Sequence, residues 1–322
     1  MSALDVLEAD ERRLLRRAPP PRQFEPMKAV LHDRPFSDEG FLFERKLDGV
    51  RCGAFRTGSG VQLLSRGGKS LDYSGLGGAL AAEDADDFVV DGEIVAFEGT
   101  RTSFARLQRA RRERTAVYLY VFDLLHLDGH DVTALPLRAR KRVLRRALRF
   151  HGPVRYTPHR NRQGERFFAE ACRSGWEGLI AKRADSRYTA TRSHDWLKLK
   201  CSHEQELVIG GFTAPKGSRT DFGALLVGYH EDGALRYAGK VGTGFDRHTL
   251  HELGRQLREL ERGDSPFAEV RPIPKGTRWV GPELVAQIAF TEWTRDGRLR
   301  HPRYLGLRDD KPAREVVRER PE

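Results

Sequence analysis

Phe41-Leu42-Phe43-Glu44-Arg45-Lys46-Leu47-Asp48-Gly49-Val50-Arg51 decides how the chain is read. Its opening apolar run spells a strand, and Asp-Gly after such a run spells a tight turn. That geometry fixes the Lys46 amine at a sheet end with Arg45 and Arg51 beside it. Such a lysine is either a nucleophile or a surface residue near a hairpin, and the stretch alone does not separate the two.

Working outward, the 322 residues suit two domains or one large one. Hydrophobic residues make up 39% of the chain, a folded composition. Lysines and arginines number 57 against 46 acids, a net charge of +11, which points to a polyanion partner. Three scattered cysteines, Cys52, Cys172 and Cys201, exclude a disulfide framework and a four-cysteine zinc site. The acidic start is no signal peptide, and no apolar run is long enough to span a bilayer, so a cytoplasmic protein without a membrane partner is expected.

In chain order, residues 1–18 read as a short charged helix closed by three prolines, with 1–23 an appendage. Strands are expected over Phe41–Arg45, Arg51–Arg56, Val61–Ser65 and Phe88–Phe97, and Val117–Leu125 reads as a buried strand. Thr102 or Ser103 can cap a helix that carries Arg109 among many arginines. A second helix, from Pro136, has an apolar stripe of Val143, Leu144, Ala147 and Leu148. Its other face, including Arg138, Arg140, Lys141, Arg142 and Arg145, has no compensating acid and is expected to face a polyanion. After Lys200, short glycine-broken strands with one helix, Asp246 to Glu261, fit a small Greek-key barrel of the OB type. The expected domains are 24–202 and 203–322.

Polar clusters sit where strands end or are interrupted. Ser65-Arg66-Gly67 follows one strand, Asp91-Gly92-Glu93 interrupts another, and Glu177-Gly178 precedes a third. Lys198 and Lys200 alternate onto one strand face. Burying these charges without partners costs several kcal/mol each, so a shared charged ligand is the natural reason for them. Two other signals fail. Gly67-Gly68-Lys69-Ser70 lacks the earlier glycine of a phosphate loop, because position 63 is Leu63. His126 and His130 flank a hairpin signal, Asp128-Gly129, and are expected as surface turn residues.

Lys46-x-Asp48-Gly49-x-Arg51, Ser65-Arg66, Asp91-Gly92-Glu93, Tyr120-Val121-Phe122-Asp123, Glu177-Gly178, Lys198-x-Lys200 and Arg308-x-Asp310-Lys311 stand in order along the chain. Together they resemble the motifs of covalent nucleotidyltransferases. Within that group the chain looks like the ATP-dependent DNA ligases, above all the ligase domains of the bacterial end-joining type. The resemblance implies an α+β fold: a nucleotidyltransferase (ATP-grasp-like ligase) domain of antiparallel sheets with helices, then an OB-fold β-barrel. It also implies that Lys46 attacks the α-phosphate of ATP to give lysyl-AMP, which passes to the 5′-phosphate of a nick before the 3′-hydroxyl displaces it. The amine must first lose its proton; it is neutral in about one molecule in a thousand at pH 7, a penalty of roughly 4 kcal/mol. Arg45, Arg51, Lys198 and Lys200 are expected to lower its pKa.

By the same resemblance Glu44 and Phe122 hold the adenine, and Arg51 and Glu93 meet the ribose. Arg66 senses the nick phosphate, Glu177 and Glu93 hold Mg²⁺ or Mn²⁺, and Lys198 and Lys200 grip the α-phosphate. Arg308, Asp310 and Lys311 position the departing pyrophosphate. Arg66, Arg109, Arg142, Arg145 and Lys216 are expected to contact DNA. The expected partners are nicked or broken DNA, with the end-binding protein Ku and separate polymerase and nuclease proteins, and the chain is expected to be a monomer in the bacterial nucleoid. The alternatives are an RNA-directed relative (an RNA ligase or capping guanylyltransferase) and a non-catalytic DNA-end scaffold.

Overall fold

The Asp48-Gly49 turn does not close a hairpin. In the computed structural model, which describes residues 2–58, 60–201, 203–215, 220–270 and 272–320, the strands on either side of it enter different sheets. Gly49 is required at this crossing, because a Cβ there would lie 2.1 Å from the Ile94 carbonyl oxygen. Asp48 anchors the turn: its amide donates to Thr102 Oγ1 and its Oδ2 accepts from the Phe104 amide, both at 3.0 Å. That second bond ties the turn to the start of the Phe104–Glu113 helix, which Ser103 caps by accepting from the Arg106 amide.

The chain divides into two compact units, one running to Cys201 and the next from there to Arg320. In the first, among the described residues, an eight-stranded sheet is ordered Arg16–Arg17, His130–Asp131, Val117–Leu127, Asp87–Glu98, Val50–Thr57, Gly60–Ser65, with two short strands paired off this path. A five-stranded sheet is ordered His159–Arg160, Phe41–Lys46, Gly178–Arg183, Arg192–Lys200, Lys28–Leu31. Phe55, Val89 and Phe122 of the larger sheet pack with Trp196 of the smaller and with Phe24, Met27 and Tyr188. The opposite face of the smaller sheet buries Phe43, Leu179, Ala181 and Leu199 beneath the Gly164–Arg173 helix.

The start of the chain is not a single helix. It forms a short turn of helix at Ala3–Val6, another at Ala9–Arg12, and an edge strand, Arg16–Arg17, paired with His130–Asp131. Leu7 is buried in the core of the first unit, and Glu11 receives both bonds of the Arg142 guanidinium at 2.7 and 2.6 Å. The Asp128-Gly129 hairpin forms as its sequence suggests, but His126 beside it is buried and its Nε2 bonds the Ala18 carbonyl.

The Leu137–Ala147 helix sinks Leu137, Val143 and Leu144 completely, each worth about 1.5–3 kcal/mol of burial. Contrary to expectation, its cationic face is not turned outward to a polyanion throughout, since Arg140 and Lys141 are buried. Arg140 makes two bonds to Asp123, at 2.7 and 2.9 Å.

In the second unit, His203–Thr213 is the shared long strand. Its first half pairs with Val285–Phe290 and its second half with Thr277–Val280, while its other edge takes Leu225–Glu231 with a bulge after Ile209. Pairing of one long, bent strand to this many neighbours, with the Arg247–Glu259 helix capped by Asp246, is the arrangement of an OB-type domain. Among the described residues no strand ladder joins Ala234–Val241 to Arg303–Leu307, and a single backbone bond, from the Tyr304 amide to the Thr243 carbonyl, links the two edges, so the expected barrel is not closed by strand pairing.

Cys172 and Cys201 are joined in a disulfide, and Cys52 is free and buried. Sequence spacing conceals this pair, because its members are 29 residues apart and meet only through the fold.

Candidate active site

Cross-strand register builds the site. In the five-stranded sheet Lys46 lies opposite Gly178, which lies opposite Lys200. One step along, Glu44 faces Ile180 and Lys198; one step further, Leu42 faces Lys182 and Trp196. Directly opposed residues share a sheet face. Glu44, Lys46, Lys182, Trp196, Lys198 and Lys200 are therefore presented on one surface. Gly178 leaves that surface open between Lys46 and Lys200, and nothing larger fits: its φ is +149°, and a Cβ would lie 1.9 Å from the Leu199 carbonyl oxygen.

Lys46 Nζ is 2.5 Å from Glu177 Oε1. Burial pushes the amine's pKa down, but Glu177, Glu93 and Asp48 together hold it above its ordinary value. The free protein thus keeps Lys46 charged, opposite to the lowering expected from neighbouring cations. Those cations are engaged elsewhere or act less strongly. Arg45 points away from Lys46, its guanidinium 4.3 Å from the Trp176 ring centre, and donates to the Thr100 carbonyl. Arg51 makes two 2.5 Å bonds to the buried Asp91 carboxylate.

Arg51 also belongs to the aromatic wall of the site. Its guanidinium lies 4.6 Å from the centre of Phe122 and 5.5 Å from that of Trp196. Asp91 is fixed from its other side by the Tyr188 hydroxyl at 2.7 Å. Phe122 is placed by a bulge, since Gly92 pairs with Val121 but Asp91 pairs with Asp123. Glu93 stands opposite both Arg51 and Tyr120. Arg66 is half-buried just beyond the Gly60–Ser65 strand.

Glu44 is not an open side chain. It is 1% exposed, with Lys182 Nζ 2.7 Å from Oε2 and Lys141 Nζ hydrogen-bonded to Oε1. Against the cost of burial, the two lysines hold its pKa below the usual carboxylate value. Sequence reasoning assigns neither lysine to the site and places Lys141 on the outward cationic face of its helix. Lys182 was signalled by its spacing, four residues past Gly178 on the same strand face, whereas nothing local marks Lys141.

The arginines expected to bind DNA differ in availability. Arg109 and Arg145 are exposed, but Arg109 has Glu113 3.7 Å away, and Arg142 is committed to Glu11. Lys216 lies outside the described residues. In the second unit Arg308 holds Asp310 with bonds of 2.9 and 3.0 Å and lies 3.5 Å from Glu206, which also bonds Lys311.

Among the described residues no cluster of three or more His, Cys, Asp or Glu forms a cage for a metal ion. Glu177 nevertheless suits Mg²⁺ or Mn²⁺. Its Oε2 is buried without a hydrogen-bond partner, and such ions commonly take one or two carboxylates and complete their shell with substrate phosphates and water.

A lysine on an open sheet face, ringed by carboxylates and further lysines and followed by an OB-type unit, defines the class of covalent nucleotidyltransferases. Residues 25–200 match the family described as ATP dependent DNA ligase domain, and residues 218–311 match the ATP dependent DNA ligase C terminal region. The chain belongs to the ATP-dependent DNA ligase family. It is 39% identical over 317 residues to the multifunctional non-homologous end joining protein LigD of Pseudomonas aeruginosa, covering 95% of this chain and 38% of that protein. The LigD of Mycobacterium tuberculosis is 39% identical over 289 residues, covering 87% of this chain and 37% of the relative. A solved structure of mycobacterial DNA ligase D complexed with ATP and MES matches with a TM-score of 0.65 at 35% identity, over 91% of this chain and 98% of that one. The chain thus spans under two-fifths of the length of these two curated relatives.

Proposed function

We propose that this chain seals breaks between a 5′-phosphate and a 3′-hydroxyl in DNA, using ATP and a lysyl-AMP intermediate at Lys46, and that it acts in end joining. The observation that carries the reading is the shared face of Lys46, Glu44, Lys198 and Lys200 around Gly178, with Glu177 on the Lys46 amine. End joining rests on the likeness to the non-homologous end joining LigD proteins.

In the first step the Lys46 amine, having given up a proton, bonds to the α-phosphorus of ATP and pyrophosphate leaves. Glu177 Oε1 is near enough to receive that proton. Lys198 and Lys200 hold the α-phosphate. Glu44 and the Phe122 wall take the adenine, while Arg51 and Glu93 take the ribose side. Glu177, with Glu93, would hold Mg²⁺ or Mn²⁺, which supplies charge neutralisation on the phosphates. In the second step an oxygen of the DNA 5′-phosphate takes the AMP and releases Lys46; in the third, the 3′-hydroxyl oxygen displaces AMP and joins the strand.

The test is intact-mass measurement after treatment with ATP and Mg²⁺, paired with sealing of a 5′-phosphorylated nick. The expected result is an AMP adduct that Lys46→Ala abolishes together with sealing. An adduct formed only from GTP, or none from either nucleotide, overturns the proposal.

A further inference from the structure

Lys141, Glu44 and Lys182 form a buried triad of ions directly beside the proposed nucleotide face. Each lysine is 2% exposed and each is paired with one oxygen of the same carboxylate. The groups arrive from separate elements: Glu44 from the Lys46 strand, Lys182 from the neighbouring strand and Lys141 from the Leu137–Ala147 helix. Lys141 also reaches the Phe122 and Thr157 carbonyls at 3.3 Å. Lys182 Nζ lies 4.1 Å from the centre of the Phe122 ring and 4.0 Å from that of Trp196. Placing three ions in a dry site costs more than filling it with apolar side chains, so their presence calls for a use beyond stability.

We propose that Lys182 is a positioning residue for nucleotide choice: with Lys141 it fixes the Glu44 carboxylate so that its remaining lone pairs accept from the 6-amino group of adenine. This rests on the proposed reading in which Glu44 meets the base. A carboxylate accepts from that amino group and repels the 6-oxo group of guanine, but only if it cannot swing aside. A clamp on both oxygens prevents the swing. Lys182, stacked against Phe122, also couples the carboxylate to the ring on which the base would lie.

Arg51 lies over the same two rings, and the other charged or titratable groups acting on Lys182 are Glu44, Lys141, Asp123 from the larger sheet and His159. Burial brings its pKa down to about 8. The clamp therefore weakens as pH rises through that value.

The test compares adenylation from ATP with that from purine riboside triphosphate, which lacks the 6-amino group, in the natural protein, Glu44→Gln and Lys182→Met. The natural protein should prefer ATP by about tenfold to a hundredfold, the range of one hydrogen bond to a charged group. Lys182→Met should cut that preference to about twofold, chiefly through KM, and cooperative thermal unfolding checks that it folds. A Glu44→Gln protein that keeps the full preference defeats the base-binding reading of Glu44. Loss in Glu44→Gln with full retention in Lys182→Met overturns the role of Lys182 alone. A second measurement needs no variant: the preference of the natural protein should fall between pH 7 and pH 9, and a flat preference overturns the clamp.

Discussion

Lys46 Nζ rests 2.5 Å from Glu177 Oε1, so the proposed nucleophile is stored as one half of an ion pair. Glu177, Glu93 and Asp48 favour the ammonium and outweigh the burial that opposes it. Adenylation in the natural protein should accelerate with pH, because the neutral fraction grows tenfold per unit below the amine's pKa. Glu177→Gln removes the strongest stabiliser of the charge. In single-turnover adenylation its acidic limb should shift to lower pH, while its maximal rate falls about 100-fold or more from loss of a proton acceptor. An acidic limb that stays in place would show that Glu177 does not set the proton on Lys46.

Arg140 and Asp123 are both fully buried and form a two-bond pair. Removing one member strands the other, so Asp123→Ala should cost about 3–5 kcal/mol in urea unfolding. Replacing both by leucine should recover much of the loss. The pairing holds Asp123 below its ordinary pKa. Its contribution is therefore present above about pH 4, the unfolded value, and fades as pH falls through the lower folded value.

The same pair marks the limit of reading this chain by sequence. Lys46, Lys198 and Lys200 are legible because strand alternation and the Asp-Gly turn are local signals, and the Ser103 and Asp246 caps are local too. Arg140 and Lys141 look like part of an outward face for a polyanion because helix periodicity assigns charge to the outer face; their acids are 17 and 97 residues away. Asp48-Gly49 looks like a hairpin because a crossing between sheets uses the same turn residues. The Ser74–Ala81 helix is hidden by Gly75, Gly77 and Gly78, which lower its propensity while tertiary packing of Leu76 and Leu80 holds it. Near Lys46, motif order locates the residues, but the direction of its proton equilibrium needs the distance to Glu177.

Lys182 predicts a slope in stability with pH. Its folded pKa of about 8 is below the ordinary value of 10.5, so between those values the unfolded chain binds more protons. Stability should rise with pH across that interval. Lys46 and Lys141 are shifted upward and lose their contribution only above 10.5. Urea midpoints from pH 7.5 to pH 10 should rise in the natural protein relative to Lys182→Met. Parallel curves would refute the buried titration.

The Cys172–Cys201 disulfide closes a loop with a separation of 29 residues, and that loop carries Glu177 and Lys198. Loop-closure entropy gives such a crosslink about 3–4 kcal/mol, before any native-state strain. Unfolding with and without reductant should differ by that order, and Cys172→Ser with Cys201→Ser should match the reduced protein. Equal midpoints would mean that the crosslink constrains nothing that is not already held by packing.

Arg145 and Arg142 share a helix but should not contribute equally to DNA binding. Arg145 is exposed and lies 5.3 Å from the centre of the Tyr156 ring, whereas Arg142 gives two bonds to Glu11. Each phosphate contact releases counterions, so losing one lowers the salt slope by about one. Arg145→Ala should show that decrease when nicked-DNA affinity is measured across salt concentrations. Arg142→Ala should leave the slope nearly unchanged and instead loosen the first turns of the chain, raising amide exchange near Leu7 and Glu11. The reverse pattern would mean that DNA displaces Glu11 and recruits Arg142, turning this ion pair from a structural tie into a competitor for phosphate.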